Sequence, residues 1–180
     1  MKIEYWFEMP NKWTFKQPKL RKFILKFIPI NSLVLIPFAG EYRFPNRLDN
    51  TKFIYNDINL KIKADYHLEA WDLRDVFQKE TFDCIIADPP FSLNQFYAQY
   101  NKAKKEGTEK DFRTDMNKWR DTSNYLLKTN GVYIQLGYNT HGIKNAEKIG
   151  LGICQTGSDH NDILILIQKK YNNLVKILEF

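Results

Sequence analysis

The sequence predicts an α/β fold with a mostly parallel sheet that closes with an antiparallel hairpin near the C-terminus. Short apolar segments alternate with amphipathic ones along most of the chain, a pattern typical of parallel strands joined by helices. Close to the C-terminus, two strand-like segments flank a polar turn, which predicts the hairpin. The chain has 180 residues, a length that fits a single domain with one core.

The elements of this fold are predicted from apolar runs and from the residues that interrupt them. The predicted strands are residues 33–36, 53–55, 67–70, 82–87, 132–136, 152–156 and 163–168. The predicted helices are residues 18–27, part of 58–65, 73–80, 115–128 and 142–149. Pro18 is placed to open the first helix, Pro29 to stop it, and Asn130-Gly131 to end the helix that starts at residue 115.

Composition and charge narrow the class of protein. The formal charge of +6 and the pI of about 9.1 favour a polyanionic partner such as nucleic acid. The spacing of Cys84, Cys154 and the three histidines matches no metal or redox site. No apolar run reaches the roughly 18 residues of a membrane span, and the first residues do not form a signal peptide. We therefore expect a cytoplasmic protein without metal and without membrane contact.

Three polar or glycine-containing segments follow predicted strands, where open parallel sheets bind their ligands. Residues 37–40 follow the first strand, Asp57 follows the second, and residues 88–91 follow the fourth. Gly40 would let the backbone approach a ligand closely. Asp57, 17 positions later, would be placed to hold the two hydroxyls of a ribose. Together these features predict an adenosine-containing cofactor.

The segment Asp88-Pro89-Pro90-Phe91 carries the most specific signal. Two successive prolines fix the backbone and remove donors, so the carbonyls remain free to accept hydrogen bonds from an amino group. Asp88 adds a side-chain acceptor, and Phe91 adds a flat ring for stacking. A pair of acceptors beside a stacking ring suits a flipped-out base with an exocyclic amine.

These segments resemble, in family order, the motifs of the S-adenosylmethionine-dependent amino-methyltransferases. The resemblance rests on five segments, namely Pro37-Phe38-Ala39-Gly40, Asn56-Asp57, Glu69-Ala70-Trp71-Asp72-Leu73, Asp88-Pro89-Pro90-Phe91 and Asn130-Gly131-Val132-Tyr133. It covers roughly residues 31–170 and implies the Rossmann-like sheet of class I methyltransferases. On this basis residues 1–31 form a basic and aromatic N-terminal segment, residues 32–170 form the catalytic core of a single domain, and no separate target-recognition domain is present.

The resemblance also implies a role for each position. Asp88 and the Pro89 carbonyl would accept hydrogen bonds from the target amine, and Phe91 would stack on the base. The cofactor would be S-adenosylmethionine, held by residues 37–40, with its ribose on Asp57 and its adenine near Asp72. Lys16, within Lys16-Gln17-Pro18-Lys19-Leu20, would belong to a segment that closes over the methionine end.

Residues 92–112 follow the Asp88–Phe91 segment as a polar, lysine-rich loop or mobile lid. Its interleaved aromatic and basic side chains suit single-stranded or flipped nucleic acid; the candidate contacts are Tyr97, Tyr100, Lys102, Lys104 and Lys105. Adenine N6 in DNA is the first substrate expected. Guanine N2 or adenine N6 in RNA, and more distantly a protein glutamine, stay open. The chain could also be a non-catalytic subunit of a two-chain methyltransferase, or could require a recognition subunit or a second copy of itself.

Overall fold

One seven-stranded sheet organises the described part of the chain. The computed structural model describes residues 1–11, 13–45, 50–92, 95, 109–157 and 161–171, with the backbone alone for 109–114. The strands are β1 Lys2–Phe7, β2 Leu33–Ile36, β3 Lys52–Tyr55, β4 Phe82–Ala87, β5 Leu127–Gly137, β6 Ala146–Gln155 and β7 Ile163–Lys170. The helices are a 3-10 turn Thr14–Lys16, α1 Pro18–Leu25, α2 Leu73–Val76 and α3 Glu109–Leu126.

The strand order is β1-β6-β7-β5-β4-β2-β3. All neighbouring strands are parallel except β7, which runs antiparallel to both β5 and β6. The predicted α/β fold, with a mostly parallel sheet and a C-terminal antiparallel hairpin, is confirmed. Among the described helices, none combines the length and apolar character needed to span a lipid bilayer.

Apolar residues alternate between the two faces of the central strands, because successive side chains of a strand point to opposite sides. In β4, Cys84 and Ile86 join the cluster beneath α1, where Phe23 and Ile24 pack. Ile85 faces the other way, into a cluster that contains Trp119 of α3. Both faces of the sheet are thus buried at its centre, as expected for parallel strands.

The described residues between β2 and β3 form no helix, and aromatic side chains pack on this part of the sheet instead. The Phe44 ring stacks on Phe53 with centroids 5.5 Å apart, and Phe53 stacks on Tyr55 at 6.1 Å. Phe15 and Tyr42 meet Phe44 edge-on. These rings cover the α1 side of the sheet edge beside β3, which a crossover helix would usually cover.

A non-helical segment with bends, residues 138–145, connects β5 to β6, and residues 146–149 belong to β6, although a helix over 142–149 was predicted. The prediction is wrong because the segment is fastened to β7 through Gln168. The side-chain oxygen of Gln168 accepts from the Ile143 N–H at 2.8 Å, and its amide donates to the Ile143 carbonyl at 3.3 Å. Gly142 lies against the same side chain, and a Cβ at Gly142 would fall 1.6 Å from the Gln168 oxygen. This close approach requires glycine.

Other differences from the predicted elements have local causes. β1 was not predicted. In place of a strand over 67–70 there is a single parallel bridge between Asn56 and Tyr66, since the Asn56 side chain bonds both the N–H and the carbonyl of Leu68. Helix α3 ends at Leu126, and Asn130 and Gly131 lie inside β5 rather than at a helix end. α2 covers four residues of the predicted eight, and residues 58–65 form turns.

Candidate active site

A cavity of about 320 Å³ lies at the carboxyl ends of β2 and β4. Its volume falls within the range of small-molecule sites, and its position is the one at which open α/β sheets bind ligands. Three groups of residues line it: the segment before α1, the turn after β2 with Asp57, and the segment after β4. Further lining comes from Tyr138 after β5 and from Thr156, Asn161 and Ile163 beside the β6–β7 turn.

Asp88 follows β4 directly and faces this cavity. Burial raises the pKa of the Asp88 carboxyl to about 7, while a hydrogen bond from the Thr14 side chain lowers the same pKa. Pro89 and Pro90 are buried beside it and line the same space. The carboxyl group is thus poised between its neutral and ionised forms near neutral pH.

Phe91 is held by a short network that reaches β5. Its N–H donates to the side-chain oxygen of Gln95 at 2.7 Å, and the Gln95 amide reaches the Tyr138 hydroxyl at 3.3 Å. The rings of Phe91 and Tyr138 meet edge-on with centroids 4.8 Å apart. Both rings line the cavity. They therefore form an aromatic wall next to the Asp88 carboxyl group.

Asp57 is only 3% exposed and orients the turn that follows β2. One carboxylate oxygen accepts from the Gly40 N–H at 2.9 Å, and the other accepts from the Asn59 N–H at 2.9 Å. A carboxylate has about four acceptor positions, so two remain for a ligand. Asn56 supports the same turn by donating to the Pro37 carbonyl at 3.1 Å.

Gly40 has a left-handed backbone with φ +53°, which favours glycine. The space above its Cα is taken by the indole of Trp13, since a Cβ at Gly40 would fall 2.8 Å from Trp13 Cε3. The sequence predicts that Gly40 admits a ligand to the backbone. In the structure Gly40 admits the Trp13 ring, and both residues line the cavity.

The segment before α1 forms a whole wall of the cavity, a contribution that sequence reasoning missed. Pro10, Asn11, Trp13, Thr14 and Phe15 all line it. Single residues of this kind carry no motif in an isolated sequence, and the 3-10 turn that aims Thr14 at Asp88 has no distinct pattern. The available signal was the aromatic composition of the segment alone.

Several predicted site residues lie elsewhere. Asp72 is exposed and does not line the cavity, because a turn closed by its N–H on the Glu69 carbonyl directs Leu73 into the core and Asp72 to solvent. Lys16 is exposed and pairs with Glu41 at 3.2 Å, and Glu41 rather than Lys16 lines the cavity. Pro37 is buried behind the turn. The remaining candidates, Tyr97, Tyr100, Lys102, Lys104 and Lys105, lie outside the described residues.

Phe38, Ala39, Gly40 and Asp57, in contrast, share the cavity with Asp88, Pro89, Pro90 and Phe91. This donor set fits an adenosine-containing cofactor, since a buried carboxylate with free acceptor positions suits ribose hydroxyls and Phe38 adds an apolar surface. The cavity therefore brings a candidate nucleoside site and a candidate site for an amine into one space.

No family model matches the sequence, and no curated protein matches it significantly. Solved structures do match. TrmN from Thermus thermophilus is 14% identical with a TM-score of 0.62, over 86% of this chain and 49% of that one, so this chain spans about half its length. The N-methyltransferase NodS from Bradyrhizobium japonicum WM9 is 12% identical with a TM-score of 0.59, over 86% and 93% of the two chains. The chain thus has the Rossmann-like fold found in methyltransferases.

Proposed function

We propose that this chain transfers a methyl group from S-adenosylmethionine to an exocyclic amine of a nucleic-acid base, with adenine N6 in DNA as the first candidate. The observation that carries the proposal is the position of Asp88, Pro89, Pro90 and Phe91 on one cavity with the Gly40 turn and Asp57. An acceptor for an amine and a holder for a ribose share this space, as transfer between two bound molecules requires.

Asp88 would accept a hydrogen bond from the target amine, and the Pro89 carbonyl would accept a second. These bonds draw the amine hydrogens aside, so that the nitrogen lone pair is free to attack. The ionised carboxylate is the stronger acceptor, so the proposal requires Asp88 in its charged form. Phe91 and Tyr138 would contact the flat faces and edges of the base.

Asp57 would hold the cofactor by accepting hydrogen bonds from the ribose hydroxyls, and the turn at Phe38–Gly40 would also contact the cofactor. When bound, it supplies an electrophilic methyl group on a sulfonium. The chain contributes orientation and a low-dielectric environment. These are the effects that favour a transfer in which no strong base is needed.

The positive charge of the chain supports a nucleic-acid substrate, but some of the basic side chains near α1 already bond to other groups of the protein. The net charge is +6, and four basic residues lie on or just after α1. Lys26 pairs with Glu4 at 2.6 Å, and Arg21 donates to the Phe15 carbonyl while its guanidinium sits over the Tyr42 ring. Lys19 donates to the Phe7 carbonyl at 3.1 Å. Lys22, exposed on the same helix, is therefore the α1 charge most available to a phosphate backbone.

The test is to incubate the protein with S-adenosylmethionine and, separately, double-stranded DNA, single-stranded DNA and transfer RNA. The nucleosides are then identified by mass spectrometry after digestion. N6-methyladenine from DNA is the expected product. Methylation of RNA alone would overturn the DNA assignment. No methylated nucleoside, together with no measurable binding of S-adenosylmethionine by calorimetry, would overturn the proposal as a whole.

A pair of variants on one strand sharpens this test. Asp88→Ala removes the amine acceptor at the carboxyl end of β4 and should lower turnover by about a hundredfold or more. Asp83→Asn is the control at the other end of β4, where the carboxylate accepts from the Leu33 N–H at 2.9 Å and pairs with Lys128 at 2.7 Å. The control should retain turnover. Equal activity of Asp88→Ala and wild type would contradict the assigned role of Asp88.

A further inference from the structure

β1 carries a row of exposed apolar side chains on one face. Every second residue from Met1 to Met9 is apolar and between 48% and 69% exposed, namely Met1, Ile3, Tyr5, Phe7 and Met9. The even positions face α1 instead, where Trp6 packs on Phe23 and Glu4 pairs with Lys26. Leu151 and Ile153 of β6, opposite Ile3 and Tyr5, widen the row and are only partly buried. Contiguous apolar surface of this kind marks an interaction site.

β1 is also an edge strand, paired only with β6 in the described part of the chain. The Glu8 N–H donates to the Gln155 carbonyl of β6, so the backbone groups of odd-numbered residues point to the open edge. At the far end of the strand this edge is already capped. Lys19 donates to the Phe7 carbonyl at 3.1 Å, and Gln17 donates to the Met9 carbonyl at 3.0 Å. The open part of the edge is therefore centred on Ile3.

We propose that β1 pairs antiparallel with β1 of a second copy of this chain, about a two-fold axis at Ile3. In this register Ile3 faces Ile3 of the other copy, and Met1 faces Tyr5. On the opposite face Lys2 stands across from Glu4, and Glu4 from Lys2. The strand is thus complementary in charge to a second copy of itself. A two-fold interface requires this, because the contact between Lys2 and Glu4 occurs twice, once from each copy.

Charge complementarity favours this occupant over an unrelated strand. Lys2 and Glu4 already attract each other within one copy, with 2.9 Å between Nζ and Oε1. Antiparallel pairing at Ile3 gives each charge an opposite partner across the strands and joins two seven-stranded sheets into one. The apolar rows of both copies become continuous on a single face. An exposed edge of this length and composition would otherwise promote uncontrolled association.

The first test is the mass of the full chain in solution by sedimentation velocity over a concentration series up to about 100 µM. A concentration-dependent dimer is expected. Ile3→Asp places two like charges on the axis and should raise the dimer dissociation constant about a hundredfold. Leu60→Asp, at a site 80% exposed and outside the row, is the matched control and should leave it unchanged. A monomeric wild type, or a dimer unaffected by Ile3→Asp, would overturn the proposal.

Two further variants keep the test independent of misfolding. Ile3→Pro removes an N–H that points to the open edge and keeps every N–H and carbonyl that pairs with β6, so β1 can still join its own sheet while the second copy is blocked. Ile3→Cys should form an intermolecular disulfide on mild oxidation, since facing residues of a hydrogen-bonded antiparallel pair lie about 5.5 Å apart. Cys84 and Cys154 are buried and do not compete. Leu60→Cys lies outside the row and should form no disulfide-linked dimer under the same oxidation. The absence of a disulfide in Ile3→Cys would exclude this register.

Discussion

Thr14 donates a hydrogen bond to Asp88 across the candidate active site, joining the N-terminal wall to the segment after β4. The hydroxyl favours the ionised carboxylate and so opposes the effect of burial on the pKa of Asp88. The charge state of the proposed amine acceptor is therefore set in part by a residue that precedes it by 74 positions.

The pH dependence of turnover should report this relationship. With a pKa of about 7 for Asp88, activity is expected to rise between roughly pH 6 and 8 as the carboxylate forms. Thr14→Val removes the hydrogen bond and should shift the midpoint to higher pH while lowering activity at pH 7. Thr81→Val, whose hydroxyl donates to the Gln78 carbonyl at 2.6 Å away from the cavity, is the control. A profile that is identical in Thr14→Val and wild type would rule out this coupling.

Asp88 should also make the stability of the protein depend on pH. Its pKa is near 3.9 in an unfolded chain and about 7 in the folded one, so the folded state binds more protons between these values. The contribution of Asp88 to the free energy of unfolding is thus full below about pH 4 and is lost as pH rises to about 7. Asp88→Asn has no ionisable group at this position, so this part of its stability does not fall as pH rises. Melting temperatures from pH 4 to 8 should show the variant gaining on wild type as pH rises; a constant difference would contradict the raised pKa.

Asp57→Ala should weaken binding of S-adenosylmethionine about ten- to a hundredfold, because a charge-assisted contact to the ribose is lost. The same change frees the Gly40 N–H, so part of the effect would come from the turn itself. Asp65→Ala is the control, since the Asp65 carboxylate also bonds a backbone N–H, that of Tyr55 at 2.8 Å, but is exposed and does not line the cavity. Calorimetric dissociation constants compare the three proteins, and equal values would show that Asp57 does not contact the cofactor.

Gly142→Ala should destabilise the fold by about 2 kcal/mol or more. The new methyl group would displace the Gln168 side chain, leaving the N–H and carbonyl of Ile143 without their buried partners. Gly137→Ala is the control because the nearest atoms to a Cβ there, in Asn139, lie at 3.9 Å. Denaturant unfolding gives both free energies. A loss of similar size in the two variants would show that the contact with Gln168 is not the cause.

Sequence reasoning located the central strands because apolar runs such as Leu33–Ile36 and Phe82–Ala87 end abruptly in turn residues. It also placed Gly40, Asp57 and Asp88 at one edge, since parallel strands bring their carboxyl ends together. It did not predict β1, because the alternating apolar and polar residues of this strand lie within a segment that is basic and aromatic as a whole. The β1 pattern is a clear strand signal, but the exposed side of that strand carries the apolar residues, contrary to the usual arrangement.

The remaining errors arose where tertiary contacts override local pattern. Residues 142–149 have no strong β pattern. Residues 146–149 lie in β6, which pairs with β7, and the buried Gln168 side chain, 25 positions from Ile143, fastens the residues before them. Asp72 has the spacing of a motif residue, but the direction of its side chain depends on which neighbouring residue is buried. Leu73 is buried in the core, so the Asp72 side chain points to solvent. The contact of Thr14 with Asp88 joins two distant segments, and a single sequence contains no record of such a pairing.

The β5–β6 connection also limits how this part of the chain can change in length. β5 ends at Gly137, opposite Leu164 of β7, and β6 begins at Ala146, opposite Lys170 of β7. The eight residues between them must therefore run back along β7 and cross two strand spacings, a direct distance of about 22 Å. Fully extended, they reach about 30 Å. The slack is thus about two residues, and longer deletions would pull β6 out of register. Surface loops usually tolerate deletions, but in related chains with this same connection we expect it to be shorter by no more than about two residues.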